Sequence, residues 1–249
     1  MTQLNKIRVG IVSYLNTRPL IYGLKFPPIS QQIELIEETP ARLAQMLLDN
    51  KIDLGLLPIA AITDVPDYQL VGDYCIAANE AAATVCLFSE VPLEEIRTIY
   101  LDYQSRTSVE LLKWLIREYW KINPELINTQ DDSYRSKLNG TTAGLVIGDR
   151  AFEQRLISKF SIDLGTEWKK ATGFPFVFAA WISRQVFSTE FITMLNNANA
   201  LGLNHLDEIV AAHPFSLYSL KEYYTKNMSY QLTDDKKNAL NYFLKSIRK

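Results

Sequence analysis

The segment VSYLNTRPL, near the start of the chain, gathers hydrogen-bonding groups between an apolar strand-like run and a predicted helix. Its polar side chains are those of Ser13, Asn16, Thr17 and Arg18. A helix N-terminus binds carboxylates well, because its N–H groups are free and the helix dipole is positive there. Asn16 and Thr17 are also ordinary helix-capping residues. The segment therefore predicts either a simple helix cap or one half of an anion-binding site.

A second segment, LDYQSRTSVELL, has the same arrangement much further along the chain. It offers three hydroxyl groups and one guanidinium group, from Ser105, Arg106, Thr107 and Ser108. Thr107 and Glu110 have the spacing of a capping box, in which one hydroxyl group caps the helix. Because a capping box needs only one hydroxyl group, the surplus donors favour a second carboxylate site at this helix.

Three weaker signals add candidate contacts. Gly148 and Asp149 follow the apolar run in GLVIGDRAF, where a glycine lets a ligand approach the backbone, although a turn is the commoner reason for it. Thr172 and Gly173 precede the apolar run FPFVFAAWIS as possible polar lining. Thr84 in AAATVCLF is a further candidate, with an ordinary strand threonine as the alternative.

These groups meet only if a scaffold brings distant strand ends together. In the first half of the chain, residues 7–14, 33–36 and 52–57 have strand patterns, and a helix pattern runs from Thr39-Pro40 to Asn50. This βαβαβ order favours a parallel sheet in an α/β fold.

A second α/β set follows, with strands predicted at residues 98–101 and 144–147 and a helix at residues 105–120. Residues 174–183 form an apolar return strand in this prediction, and residues 185–249 are helical.

The order of these units predicts two lobes with a ligand cleft between them. Lobe 1 comprises residues 1–89 and 182–249, and lobe 2, residues 90–181, is inserted into it. The chain is predicted to cross between the lobes near residues 88–92 and again near residues 178–183.

The composition and the absence of known motifs argue against several classes of partner and cofactor. The 249 residues carry a net charge of −2, so neither a nucleic acid nor a membrane surface is an expected partner. Two cysteines and two histidines show no ligand spacing, so no metal is expected. The sequence has no dinucleotide fingerprint, phosphate-binding loop or nucleophile elbow, and no cofactor is predicted. Without a secretory signal or a membrane-spanning run, a cytoplasmic location is expected.

The motifs SYLNTRPL, SRTSVELL, GLVIGDRA and TGFPFVFAAW, in this order, resemble those of the chorismate dehydratases of the futalosine route to menaquinone. The resemblance implies an α/β, two-lobed fold of the type II periplasmic-binding-protein kind, with a cleft between the lobes. It implies loss of water from chorismate to give 3-[(1-carboxyvinyl)oxy]benzoate. The candidate substrate contacts, taken from the segments described above, are Ser13, Asn16, Arg18, Thr84, Ser105, Arg106, Thr107, Ser108, Gly148, Thr172 and Gly173.

One departure from the family pattern lies at Ala83-Thr84, where relatives commonly have Arg-Ser. Thr84 keeps the hydroxyl group, but a carboxylate contact from that arginine is lost. Two alternatives stay open: a cytoplasmic small-carboxylate-binding protein without catalysis, and the related 1,4-dihydroxy-6-naphthoate synthase. The sequence gives no basis for an oligomeric state.

No histidine, lysine or glutamate in the motifs is an evident base for the dehydration. Asn16 is expected to orient the substrate or its leaving hydroxyl group. The preferred base is the enolpyruvyl carboxylate of the substrate itself, folded over the C3 proton. Asp149 is the remaining protein candidate, provided that burial raises its pKa.

Overall fold

The computed structural model describes residues 6–247, which form two mixed β-sheets and the helices that pack on them. The strands in this range are Ile7–Ile11 (β1), Ile33–Glu37 (β2), Leu54–Pro58 (β3), Gln69–Ala78 (β4), Val85–Ser89 (β5), Thr98–Leu101 (β6), Glu125–Asn128 (β7), Thr142–Ile147 (β8), Phe160–Asp163 (β9), Phe176–Ser183 (β10) and Ser229–Gln231 (β11). One sheet has the order β11–β4–β10–β3–β1–β2, and the other has the order β7–β6–β8–β5–β9. Each sheet with its helices forms one lobe, named lobe 1 and lobe 2 in that order.

The α-helices of the same residues are Arg18–Tyr22 (α1), Pro40–Leu48 (α2), Arg106–Trp114 (α3), Arg150–Arg155 (α4), Leu164–Thr172 (α5), Thr189–Asn204 (α6), Leu206–Ala212 (α7), Leu220–Glu222 (α8) and Asp234–Ile247 (α9). Two of them continue as π-helices, α3 over Leu115–Trp120 and α8 over Tyr223–Asn227. None of the helices described is both long and apolar enough to cross a membrane.

The predicted parallel βαβαβ unit is confirmed, since β1 pairs in parallel with both β2 and β3. Val9 of β1 lies beside Leu54 of β3, and both side chains are fully buried. β3 is buried on both faces, which explains its continuous apolar run LGLLP, whereas Arg8 of β1 is only half-buried and the glutamates of the edge strand β2 are exposed.

The predicted crossings between the lobes are corrected by the pairing of two strands. β5 pairs with β8 and β9 in lobe 2, whereas β10 pairs with β3 and β4 in lobe 1. The chain therefore crosses between β4 and β5 and again between β9 and β10, before the predicted boundaries 89/90 and 181/182. Both strands are almost entirely buried, so their hydropathy does not indicate which sheet each one joins.

The C-terminal part is not purely helical, because β11 adds an edge strand to lobe 1 beside β4. Its three residues are too few to give a strand signal among helices.

The start of α1 is fixed by close packing against α6. A Cβ atom on Gly202 would lie 1.8 Å from the carbonyl oxygen of Pro19, so only glycine permits this approach. Buried Asn199 accepts a hydrogen bond from Trp181 Nε1 at 2.8 Å and donates one to the carbonyl oxygen of Leu20 at 3.1 Å. These contacts fix α1 against α6. They thereby also fix the turn between β1 and α1.

Candidate active site

A cavity lies between the two lobes at the ends of several strands. Its walls combine the two polar segments with an apolar floor, and its lining residues are Val12, Tyr14, Asn16, Thr17, Pro40, Leu56, Pro58, Ile76, Thr84, Val85, Gln104, Ser105, Ser108, Ile147, Gly148, Phe178, Ala179 and Met228. The side chains of this lining include no Lys, Arg, His, Asp or Glu. An anion here would therefore be held by neutral donors in a largely apolar environment, where each hydrogen bond is stronger than in water.

Asn16 lies in a single 3₁₀ turn, Leu15–Thr17, between β1 and α1. Thr17 braces this turn, because its hydroxyl group contacts the carbonyl oxygens of Val12 at 2.7 Å and Tyr14 at 2.8 Å. The Oδ1 atom of Asn16 is buried and has no hydrogen-bond partner within residues 6–247. An unpaired buried acceptor costs about 1 to 3 kcal/mol, a cost that a ligand donor in the cavity would remove.

Ser105 and Ser108 form a hydroxyl pair at the start of α3. Ser105 is the N-cap: its Oγ accepts from the N–H of Ser108 at 3.1 Å and donates to Ser108 Oγ at 2.8 Å. The predicted capping box at Thr107 and Glu110 is therefore wrong. Because Ser105 supplies the proton between the two hydroxyl groups, the proton of Ser108 is left to donate to a ligand at the positive end of the helix.

Arg106 and Thr107, both predicted substrate contacts, join the lobes instead. Thr107 is almost fully buried, and its Oγ1 accepts from the N–H of Ala60 in lobe 1 at 3.0 Å. The guanidinium group of Arg106 pairs with Asp64 of lobe 1, with both side chains about half exposed. Helical spacing turns these two residues away from the face that carries Ser105 and Ser108.

Thr84 and Gly148 lie side by side in the cavity wall. The N–H of Gly148 donates to the carbonyl oxygen of Thr84 at 2.8 Å, and Thr84 Oγ1 lies 2.8 Å from the hydroxyl group of Tyr223. Gly148 has a φ of +68°, and no atom lies within 4 Å of where its Cβ would be. The backbone conformation rather than a lack of space requires glycine here.

Asp149 lies between the lobes, next to the cavity. Its Oδ1 accepts from the N–H of Leu15 at 3.4 Å. Burial raises the pKa of this carboxyl group, against the opposing effects of that hydrogen bond and of the charges of Arg18 and Arg150. Arg150 does not face the cavity, because it is held by the buried Asp102 at 2.7 Å and by Asp132.

Four other predicted contacts lie away from the lining residues. Ser13 is exposed to solvent, and Arg18 begins α1 half-buried, within electrostatic reach of Asp149. Thr172 and Gly173 end α5: Thr172 donates to the carbonyl oxygen of Trp168 at 2.8 Å, and Gly173 has the left-handed φ of +76°. A threonine and glycine before an apolar strand are thus explained by a helix C-terminus, which corrects their prediction as cavity lining.

Sequence reasoning missed several lining residues. Tyr14 and Gln104 lie inside the two polar segments, but a lone aromatic or amide residue has no distinctive spacing. The C-terminal part contributes Met228 to the lining, and the hydroxyl group of Tyr230 donates to the carbonyl oxygen of Asn16 at 3.1 Å. No motif marks these positions, because their role depends on β11 joining lobe 1.

In the part of the chain that the structure describes, no group of three His, Cys, Asp or Glu side chains is placed to hold a metal ion. The chemistry available at the cavity is therefore that of hydroxyl, amide and backbone N–H groups, which suits recognition of a small carboxylate.

Comparison with known proteins agrees with this arrangement. A chorismate dehydratase of Thermus thermophilus is 26% identical to the chain, and the match covers 96% of the chain and 94% of that protein. Protein AF1704 of Archaeoglobus fulgidus has a similar structure, with a TM-score of 0.76, 14% identity and coverage of 97% of this chain and 96% of that one.

The periplasmic aliphatic sulphonate binding protein of Escherichia coli has a TM-score of 0.66 at 15% identity, covering 98% of this chain and 86% of that one. The predicted two-lobed periplasmic-binding-protein-like fold is confirmed by these likenesses. A family model described as menaquinone biosynthesis matches residues 7–249. The chain therefore belongs to the menaquinone biosynthesis family.

Proposed function

We propose that the protein is a chorismate dehydratase, a hydro-lyase that converts chorismate to 3-[(1-carboxyvinyl)oxy]benzoate and water. Its family and the Thermus thermophilus relative support this reaction. The observation that carries the proposal is the shared cavity, which is lined both by the side-chain amide of Asn16, whose Oδ1 has no partner within residues 6–247, and by the Ser105–Ser108 hydroxyl pair. These groups belong to different lobes, as recognition of a ligand with two separate carboxylates requires.

Each carboxylate of chorismate would find its own set of neutral donors. At one end, the Ser108 hydroxyl group and the first N–H groups of α3 form a site for an anion. At the other end, the amide of Asn16 and the hydroxyl group of Thr84 lie close to the apolar floor. A hydrogen bond to a charged group contributes about 1.5 to 3 kcal/mol, so a few such bonds hold a small dianion without a cationic side chain.

The reaction removes the proton from C3 and the hydroxyl group from C4. The C3–H electron pair becomes a ring double bond, the C4–O bond breaks, and the departing hydroxide leaves with the proton as water. Negative charge accumulates on the ring carboxylate as the proton leaves, and donors held in place around that carboxylate stabilise it. Asn16 Oδ1 is available to accept a hydrogen bond from the C4 hydroxyl group and so to orient the leaving group.

The proton acceptor is the enolpyruvyl carboxylate of the substrate in this proposal. The lining side chains include no acid or base other than the phenol of Tyr14, and burial raises the pKa of Tyr14. Asp149 remains the protein alternative, since its carboxyl group lies beside the cavity with a raised pKa. Closure of the lobes would exclude water and hold the enolpyruvyl group over C3.

Incubation of the purified protein with chorismate tests this function directly. Chromatography should detect 3-[(1-carboxyvinyl)oxy]benzoate accumulating in proportion to enzyme and time. Saturable binding of chorismate without conversion would instead indicate a binding protein. Turnover of a cyclic futalosine derivative, with chorismate left unchanged, would indicate the naphthoate synthase activity.

A further inference from the structure

The hydroxyl group of Tyr223 lies directly behind the cavity wall. Tyr223 is 1% exposed, and its oxygen is 2.8 Å from Oγ1 of Thr84, which is equally buried and lines the cavity. The other hydrogen bond of Thr84 Oγ1, to the carbonyl oxygen of Ala82, is long at 3.4 Å. The contact with Tyr223 is therefore the main constraint on this hydroxyl group.

We infer that Tyr223 is a positioning residue, which donates its proton to Thr84 and so turns the Thr84 hydroxyl group into a donor that faces the ligand. The inference rests on the proposed function for the identity of that ligand. It extends the site to a residue that does not touch the cavity.

The direction of this hydrogen bond follows from which acceptors are available to the hydroxyl protons of Tyr223 and Thr84. Burial raises the pKa of the Tyr223 phenol, so it keeps its proton at neutral pH. A buried hydroxyl proton needs an acceptor, and Thr84 Oγ1 is the partner that lies within reach. If Thr84 donated instead, the proton of Tyr223 would be unpaired, and Thr84 would present only lone pairs to a carboxylate. Donation from Tyr223 satisfies both groups.

The surrounding structure fixes both partners. Asp163 accepts the N–H groups of Ala82 at 3.1 Å and Ala83 at 2.7 Å, which holds Ala83 at a φ of +63° just before Thr84. On the other side, Asn227 Nδ2 donates to the carbonyl oxygen of Ala81 at 3.1 Å. The π-helix Tyr223–Asn227 is thereby attached to the loop that carries Thr84, and π-helical turns are frequent at functional sites.

A double-mutant cycle tests the inference with Tyr223→Phe, Thr84→Val and the double variant. Both kcat/KM for chorismate and the Kd of chorismate are measured for each protein. Tyr223→Phe should lower kcat/KM by about tenfold, the size of one hydrogen bond to a charged ligand. In the Thr84→Val background the same substitution should have no further effect, because the hydroxyl group through which it acts is gone.

Two further variants separate positioning from a structural role. Thr84→Ser keeps the hydroxyl group, so the tenfold effect of Tyr223→Phe should reappear in that background, even if Thr84→Val fails to fold. Tyr218→Phe is the matched control: it removes a tyrosine hydroxyl group that bonds to Asn227 at 3.1 Å in the same segment, without contact to Thr84. Its kcat/KM should stay within about twofold of the wild-type value.

An equal loss from Tyr223→Phe with and without the Thr84 hydroxyl group would overturn the inference, as would wild-type kinetics in a folded Tyr223→Phe variant. Failure of the proposed function is a distinct outcome, since the wild-type protein would then form no product. In that case the double-mutant cycle would still be measured with the Kd of chorismate, which does not depend on turnover. A wild-type protein that neither converts nor binds chorismate would contradict both proposals.

Discussion

Tyr14, just before the 3₁₀ turn Leu15–Thr17, and Gln104, just before the N-cap of α3, are joined across the cavity by a hydrogen bond of 3.2 Å from the Tyr14 hydroxyl group to Gln104 Oε1. Each residue belongs to one of the two polar segments, and each lines the cavity. This bond therefore connects the lobes at the point where the two polar segments face each other.

Removal of that connection should weaken substrate binding. In Tyr14→Phe the lobes lose one hydrogen bond between them, worth about 1 kcal/mol, so KM for chorismate should rise about fivefold. Steady-state kinetics measure the change, with kcat close to wild type. Tyr103→Phe is the control, since the Tyr103 hydroxyl group bonds to Nε2 of the same glutamine at 2.9 Å but lies outside the cavity lining. Equal KM values for Tyr14→Phe and the wild-type protein would refute the role of this bond.

Asn16→Ala should reduce turnover much more than stability. The variant loses the groups that orient the leaving hydroxyl, and we expect kcat to fall by about a hundredfold or more, as for loss of an oriented polar group at a reacting centre. Its unfolding midpoint should not decrease, because the lost Oδ1 atom has no partner in residues 6–247. Turnover assays and thermal unfolding are compared on the same preparation. Wild-type turnover in this variant would exclude Asn16 from the mechanism.

Substitutions of Ser105 and Ser108 should separate effects on substrate binding from effects on the stability of the protein. Ser105→Ala removes the N-cap, so it should lower the free energy of unfolding by about 1 kcal/mol as well as raising KM. Ser108→Ala keeps the acceptor for the cap and removes the donor that faces the ligand, so it should raise KM with a smaller loss of stability. Denaturant unfolding and kinetics on both variants provide the comparison. If both variants lost similar stability and neither changed KM, the two serines would only stabilise the start of α3 and would not bind the substrate.

Asp149→Asn distinguishes the two possible bases. If the substrate carboxylate takes the proton, kcat should stay within a few-fold of wild type, since Asn retains an oxygen for the N–H of Leu15. A loss of about a thousandfold, within the range for removal of a general base, would identify Asp149 as the base. The kinetics need substrate saturation, so that changes in KM do not obscure kcat.

The difference in stability between Asp149→Asn and the wild-type protein should increase with pH. Burial raises the folded-state pKa of Asp149 above the unfolded value, so its contribution to stability is present below the unfolded pKa, about 3.9, and is lost as pH rises through the folded pKa. Asparagine does not titrate. The free energy of unfolding of Asp149→Asn relative to wild type should therefore increase from about pH 3.5 to about pH 7.5. Urea titrations at both values measure it, and a constant difference would contradict the pKa shift.

The sequence predicts the α/β class, the parallel unit of β1 to β3 and the polar residues Asn16, Ser105 and Ser108, because each depends on local patterning and capping. The lobe crossings depend on long-range strand pairing, which two uniformly apolar strands do not encode locally. Arg106 and Thr172 are residue types that commonly bind carboxylates, yet Arg106 makes an ion pair between the lobes and Thr172 lies at a helix end. Tyr223 could not be inferred, because nothing local relates it to Thr84.

A crystal structure of the protein with 3-[(1-carboxyvinyl)oxy]benzoate tests the central claim most directly. One carboxylate of the product should lie within hydrogen-bond distance of Ser108 at the start of α3, and the other should lie near Asn16 and Thr84. Product bound outside this cavity, or bound inside it with neither carboxylate in contact with these groups, would contradict the account.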